Sequence, residues 1–386
     1  MGALAGVPIG VKDIFNTANM PTQMGSPLWQ GFTPGNDARV VHYLRSAGAV
    51  ILGKTATAEF AVHAIGDTVN PHAPARTPGT SSTGSAVAVA AGHVPVALGT
   101  QTAGSIVRPS SYCGVYGYKP SFGLLPRTGM LKTTDSLDTV GFIAKAAADL
   151  RVVFDVLRVR GRNHPISEAA LSDMTRQARP HDRPWRLGLA RTHTWRLTDP
   201  QARRLLEAEL ARWAASIRVD LVDLSLPPSV EDAHEIHATI YDKTVAYYFA
   251  EEYKQHKFVS GVLANMIEHG RTISLDEYKK ALARQTGLAA AVDAALCDVD
   301  ALVTLSVAGE PPLRDAAEPE DSCLVWTVCG LPAISIPALV GPSGLPIGVQ
   351  LATRRFNDYR LLELVDQLDR AGLLPRAPHP HIRIPA

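Results

Sequence analysis

The chain has 386 residues, of which 46% are apolar and 19% charged, enough to bury a sizeable core. Its formal net charge of +1 argues against nucleic-acid binding or membrane attraction driven by bulk charge. No apolar run is long enough to span a bilayer and no secretory leader opens the sequence; Cys113, Cys297, Cys323 and Cys329 lack CxxC pairing and read as reduced core thiols of a cytoplasmic protein.

In chain order, Gly6-Val7-Pro8-Ile9-Gly10-Val11-Lys12-Asp13 comes first. Residues 7–11 read as a buried strand, which leaves the Lys12 ammonium near the core. The ordinary alternative is a lysine at a strand end, solvated or paired with Asp13. Residues 39–49 place Val40, Val41, Leu44 and Ala47 at helical spacing, and residues 49–54 read as a short buried strand. Helix followed by strand predicts parallel pairing and an α/β fold.

Pro78-Gly79-Thr80-Ser81-Ser82-Thr83-Gly84-Ser85 is a Gly/Ser-rich loop before an Ala/Val helix that runs to Gly92. Ser81, Ser82 and Ser85 are each able to cap that helix. A strand over 94–99 leads into Gly99-Thr100-Gln101-Thr102-Ala103-Gly104-Ser105, a second loop of small residues. Small residues let the backbone approach a ligand, and such loops can turn N–H groups toward a developing negative charge. Taken alone, a loop of this kind is more often a flexible turn.

Tyr112-Cys113-Gly114-Val115-Tyr116-Gly117-Tyr118-Lys119-Pro120 and Ser136-Leu137-Asp138-Thr139-Val140-Gly141 follow. Arg127, Asp135 and Asp138 read as hydrogen-bonding braces of the core, with a general-acid role for Asp138 as the minor reading. Residues 144–159 form a helical pattern, and 160–184 read as a polar surface excursion. A strand at 186–190, a helix at 199–217 opened by Asp199-Pro200, and a strand at 219–224 come next. Residues 230–285 are mostly helical, and their aromatic residues read as core. His234-Glu235-Ile236-His237 lacks the H-E-x-x-H spacing, so no metal is expected there. Strands at 301–305, 333–338 and 345–351 and an amphipathic helix at 359–371 complete the chain. Without repeats or a low-complexity linker, residues 1–386 read as one domain, a mixed β-sheet covered by helices on both faces.

The Lys12 stretch, the 78–85 loop and the 99–105 loop, in this order and spacing, resemble the amidase-signature family of serine hydrolases. The 112–120 and 136–141 stretches, Gly330-Leu331-Pro332-Ala333 and Gly344-Leu345-Pro346-Ile347-Gly348-Val349-Gln350-Leu351 continue the match. The resemblance covers nearly the whole chain and is weakest over the variable middle section, about 160–316. It implies the amidase-signature fold and a Ser–cis-Ser–Lys triad. Lys12 would be the base, Ser81 (the first of the serine pair) the proton relay, and Ser105 the nucleophile. It also implies backbone oxyanion donors at Thr102, Ala103 and Gly104, and substrate-bordering residues at Ala61 and Thr80. The chemistry is coherent, because a serine hydroxyl needs an adjacent base and a lysine serves as one only when burial keeps it neutral.

Several positions depart from the family's pattern. Val107 stands where an arginine directly follows the Ser-Ile pair, and Arg108 comes next. Gln101 replaces an aspartate, Ala103 a glycine, and Thr80 and Thr83 two glycines. A helical arm is expected before the lysine segment and does not precede it here, which reads as a short form or a truncated start. The implied function is an amidase that hydrolyses the C–N bond of a small carboxamide, with no cofactor, metal, nucleic-acid or membrane partner, and with a homodimer left open. One alternative is the glutaminase (A-type) subunit of a tRNA-dependent amidotransferase, which the departures disfavour. The other is a catalytically silent member acting as a binding protein, which intact Lys12, Ser81 and Ser105 disfavour.

Overall fold

Parallel pairing, expected from the helix-then-strand pattern, holds at the two ends of the sheet and gives way to antiparallel pairing in its middle. The computed structural model describes residues 2–161, 165–177, 183–320 and 322–375. Among them run strands β1 (Pro8–Lys12), β2 (Val50–Thr55), β3 (Val96–Gln101), β4 (Tyr116–Lys119) and β5 (Thr139–Ala144). The later strands are β6 (Trp185–Ala190), β7 (Val219–Leu224), β8 (Ala301–Leu305), β9 (Ala333–Val340) and β10 (Pro346–Ala352). They join one sheet in the order β2-β1-β3-β5-β4-β9-β10-β8-β6-β7. β1 pairs in parallel with β2 and β3, and β6 with β7 and β8. The pairs from β3 through β5, β4, β9 and β10 to β8 are antiparallel. Every residue of β3, β4, β5, β8 and β10 is buried. Successive side chains point to opposite faces, so both faces of this central sheet are covered.

The helices are α1 (Arg39–Ser46), α2 (Thr83–Ala90), α3 (Val107–Cys113), α4 (Ala147–Leu157), α5 (Pro165–Ser172) and α6 (Met174–Gln177). After them come α7 (Pro200–Ser216), α8 (Ala233–Tyr248), α9 (Gly261–Thr272), α10 (Leu275–Ala295), α11 (Cys323–Val328) and α12 (Asp358–Arg370). Local chemistry sets several of their ends. The Asp199 side chain accepts from Gln201 N with Pro200 in the first turn of α7. Ser274 and Glu277 form a reciprocal capping box on α10. Gly114, at φ 67°, closes α3 in the left-handed conformation that favours glycine. Among the described residues no helix is long and apolar enough to cross a membrane.

Some expectations are corrected. β2 is the edge of the sheet rather than a buried strand, and its Val50 and Leu52 are 51% and 58% exposed. With one neighbour instead of two, a strand has one face and one edge open to water. The 160–184 stretch is not a plain surface excursion. Its described part carries α5 and α6, with Leu171 and Gln177 buried, while 162–164 and 178–182 lie outside the described residues. Cys297 is exposed in the turn after α10, unlike the other three cysteines. Tyr241 and Phe249 are core residues, but Tyr247 on the outer side of α8 is 78% exposed.

Candidate active site

Lys12 ends β1 between two parallel neighbours, and its side chain is fully buried. Its Nζ donates to Ser81 Oγ at 2.8 Å, Ser82 Oγ at 3.0 Å and Thr100 Oγ1 at 3.0 Å. Burial lowers its pKa from 10.5 to about 7, against the opposing pull of the Asp138 charge. The pairing with Asp13 does not occur, because Asp13 binds Lys54 at 2.9 Å.

The three hydroxyls around Nζ are not equivalent. Ser82 Oγ donates to the Thr100 carbonyl at 3.1 Å and accepts from Thr100 N at 3.3 Å, so its hydrogen is committed. A neutral amine has two N–H donors and one lone pair, so one oxygen of the three must donate to it. Ser81 and Thr100 are the two that can. The peptide bond Thr80–Ser81 is cis. Ser85 is turned elsewhere, donating to Leu98 O at 2.8 Å and sharing a hydrogen with Thr55 Oγ1. None of the three serines caps α2 through its side chain; Ser82 holds the N-cap position without such a bond.

Ser105 stands where β3 has ended and α3 is about to begin, and it is 3% exposed. Among the described residues its hydroxyl has no hydrogen-bond partner, and the backbone N–H groups of Thr102, Ala103 and Gly104 have no acceptor. The same loop is held firmly from behind. Gln101 Oε1 accepts from Ile106 N at 2.8 Å and Val107 N at 2.9 Å, and Gln101 Nε2 donates to Thr327 Oγ1 at 3.0 Å. Thr327 Oγ1 in turn donates to Ala103 O at 2.7 Å. Thr102 Oγ1 donates to Asp138 Oδ1 at 2.7 Å, and the Thr102 carbonyl lies 3.0 Å from His237 Nε2. Burial drives His237 down to about 4, so it is neutral at physiological pH and Nε2 carries the hydrogen of that bond. The loop carbonyls and the Gln101 and Thr102 side chains are occupied while its amides are left unpaired, an arrangement able to receive an oxyanion.

Asp138 also accepts from Thr133 Oγ1 at 2.6 Å, Thr133 N at 2.7 Å and Thr134 N at 3.0 Å. A carboxylate so fully bonded is a brace rather than a proton donor. A cavity of about 380 Å³ lies over the loop, with Ala103, Arg108, His237, Tyr241, Met266 and Leu324 in its lining. A larger one, about 770 Å³, opens beside Arg39, Arg127 and Lys132, and neither cavity is lined by Lys12, Ser81 or Ser105 themselves.

Ala61 is buried with a left-handed φ of 61°, and the cavity is reached two residues later by His63. Thr80 meets the cavity wall through its hydroxyl, which donates to Glu318 Oε2 at 3.2 Å. Glu318 was not foreseen. It pairs with Arg108 at 2.7 Å, both side chains being nearly buried at 8% and 5%, and also accepts from Thr77 Oγ1 at 2.8 Å. Arg108 had a signal, the arginine displaced by one position; Glu318 sits in an irregular segment and had none.

A family model described as Amidase matches residues 1–362. The chain is 34% identical to the A-type subunit of the glutamyl-tRNA(Gln) amidotransferase of Anaeromyxobacter sp. (strain K), covering 98% of this chain and 85% of that protein. It is 30% identical to the corresponding protein of the same name from Koribacter versatilis, over 95% of this chain and 85% of that one. Among solved structures, the native peptide amidase from Stenotrophomonas maltophilia superposes with a TM-score of 0.81 at 29% identity, covering 98% of this chain and 85% of that one.

Proposed function

The chain belongs to the amidase family, whose members act on amide C–N bonds, and from that premise we propose that it hydrolyses a small carboxamide through an acyl-enzyme on Ser105. The observation that carries this reading is the fully buried Lys12, with a pKa of about 7 and Nζ 2.8 Å from Ser81 Oγ. A neutral amine in that position is a base at physiological pH. Ser105 Oγ attacks the amide carbonyl as its proton passes to Ser81, and the Ser81 proton passes to Lys12. The tetrahedral oxyanion is received by the amides of Thr102, Ala103 and Gly104. Lys12 returns the proton through Ser81 to the leaving nitrogen, the C–N bond breaks, and ammonia or an amine departs. Water then enters, gives its proton to the same relay and releases the carboxylic acid.

Intact-mass spectrometry after exposure to a fluorophosphonate tests this. The expected result is one adduct on the wild type and none on Ser105→Ala. A folded wild type that takes no adduct overturns the reading and favours a silent member acting as a binder.

The similarity to A-type amidotransferase subunits favours a second reading, the glutaminase component of such an assembly. Ammonia released from glutamine only when partner proteins are added would select it. Turnover of simple carboxamides by the chain alone would select the first.

A further inference from the structure

We propose that His193, His234 and Glu320 form a binding site for Zn²⁺ or a similar transition-metal dication at the rim of the cavity that Ala103 lines. The three residues come from separate places in the chain. His193 opens the short 3-10 turn His193–Leu197 after β6, His234 lies in the first turn of α8, and Glu320 belongs to the segment that precedes α11. One ligand atom from each lies within 4.8 Å of the others. His234 and Glu320 line the same cavity as Ala103 and Arg108.

The two imidazoles stand nearly perpendicular, at 79°, with His193 Nε2 and His234 Nδ1 2.8 Å apart. That bond does not complete His193. Its Nδ1 is buried and has no partner among the described residues, whichever tautomer is present. An imidazole binds a metal ion through the lone pair of its neutral form. Glu320 and Glu231 bring negative charge toward His193, while Arg196 and the N-terminal end of α8 oppose a cation.

Zinc bonds of 2.0–2.1 Å in tetrahedral geometry hold ligand atoms about 3.3 Å apart. The imidazole nitrogens need to separate by about half an ångström, and the exposed Glu320 side chain supplies the remaining approach. Two nitrogens and one carboxylate suit Zn²⁺ over Mg²⁺, and three protein ligands leave a position open to water. The site also resolves the His234-Glu235-Ile236-His237 stretch. Its two histidines do not chelate together: His237 serves Thr102, and His234 finds its partners outside the helix. A bound ion would tie α8 to the segment before α11 and narrow the cavity between them.

The test is a Zn²⁺ titration of the full chain against a chromophoric chelator, with Co²⁺ absorption as a check of coordination geometry. We expect one equivalent bound, tetrahedral Co²⁺ bands, and at least tenfold weaker binding in His193→Ala and in Glu320→Gln, with excess Mg²⁺ not competing. Glu320 is exposed, so its variant keeps the fold; circular dichroism checks both. A folded wild type that takes up no stoichiometric zinc, or undiminished binding in both variants, overturns the site. The readout needs no amide to be hydrolysed, so its failure is separate from failure of the amidase reading.

Discussion

Gln101 donates its side-chain amide to the Thr327 hydroxyl at 3.0 Å, and this contact fastens the Ser105 loop to α11 from the far end of the chain. The other end of the same carboxamide accepts two N–H groups at the start of α3. Helix-start donors have no partner within the helix, so Gln101 acts as their acceptor. Gln101→Leu strands both donors and frees Thr327. It should cost about 3 kcal/mol in urea unfolding, and kcat should fall more than KM rises, because the loop holding the N–H groups loses its anchor. An unchanged kcat with lowered stability would make Gln101 a fold residue only.

Activity should depend on pH through Lys12. Its pKa is lowered to about 7, and the base is competent only when neutral. The kcat/KM profile should therefore rise with pH through an acid limb near 7, about tenfold lower at one pH unit below it. Lys12→Met should abolish the limb and reduce kcat/KM by about a thousandfold. A limb near 4 instead would point to His237 as the titrating group.

The same lysine sets a stability signature. Its folded pKa lies below the ordinary 10.5, so between about pH 7 and 10.5 the unfolded chain binds more protons than the folded one. Stability then rises with pH across that window, and below it the buried ammonium imposes its full cost. From pH 7 to pH 9, wild type should gain about 2–3 kcal/mol relative to Lys12→Met, read from urea midpoints at each pH. Parallel behaviour of the two proteins would mean that Lys12 stays charged in the fold.

Arg108 and Glu318 form an ion pair at the cavity wall with little water around it. Arg108→Met strands a buried carboxylate and should cost about 3–5 kcal/mol. Arg108→Met with Glu318→Leu should recover part of that loss, since the unpaired charge is gone. A double-mutant cycle measures the difference. Strict additivity of the two substitutions would remove the pair as a unit of the site.

Much of the site was legible because its residues carry local signals. The lysine ending an apolar run and the two loops of small residues lie in short contiguous stretches, and the fold places Lys12 against Ser81. The long amphipathic helices were also readable from their periodicity, as in α1 and α12. β4, β5, α3 and α11 were not: segments of four to seven wholly buried residues have no polar face to mark a period, although the equally buried β3, β8 and β10 were read as strands from their apolar runs. Glu318 and the His193–His234 pair escaped for a different reason. Their partners are distant in sequence, and nothing in a one-dimensional pattern encodes that closure.

The order of the sheet has a consequence for how the chain is made. β9 and β10, the last of the described strands in sequence, lie at the sheet's centre, between a wing built from residues 8–144 and another built from 185–305. As the polypeptide leaves the ribosome, both wings emerge with β4 and β8 as raw edges and no neighbour yet synthesised to seal them. Exposed edges invite pairing with other chains. The nascent protein therefore passes through a stage when all of Lys12, Ser81 and Ser105 has been translated but the sheet cannot close. A ribosome that has translated only as far as β8 has made both wings but not yet the two strands that join them.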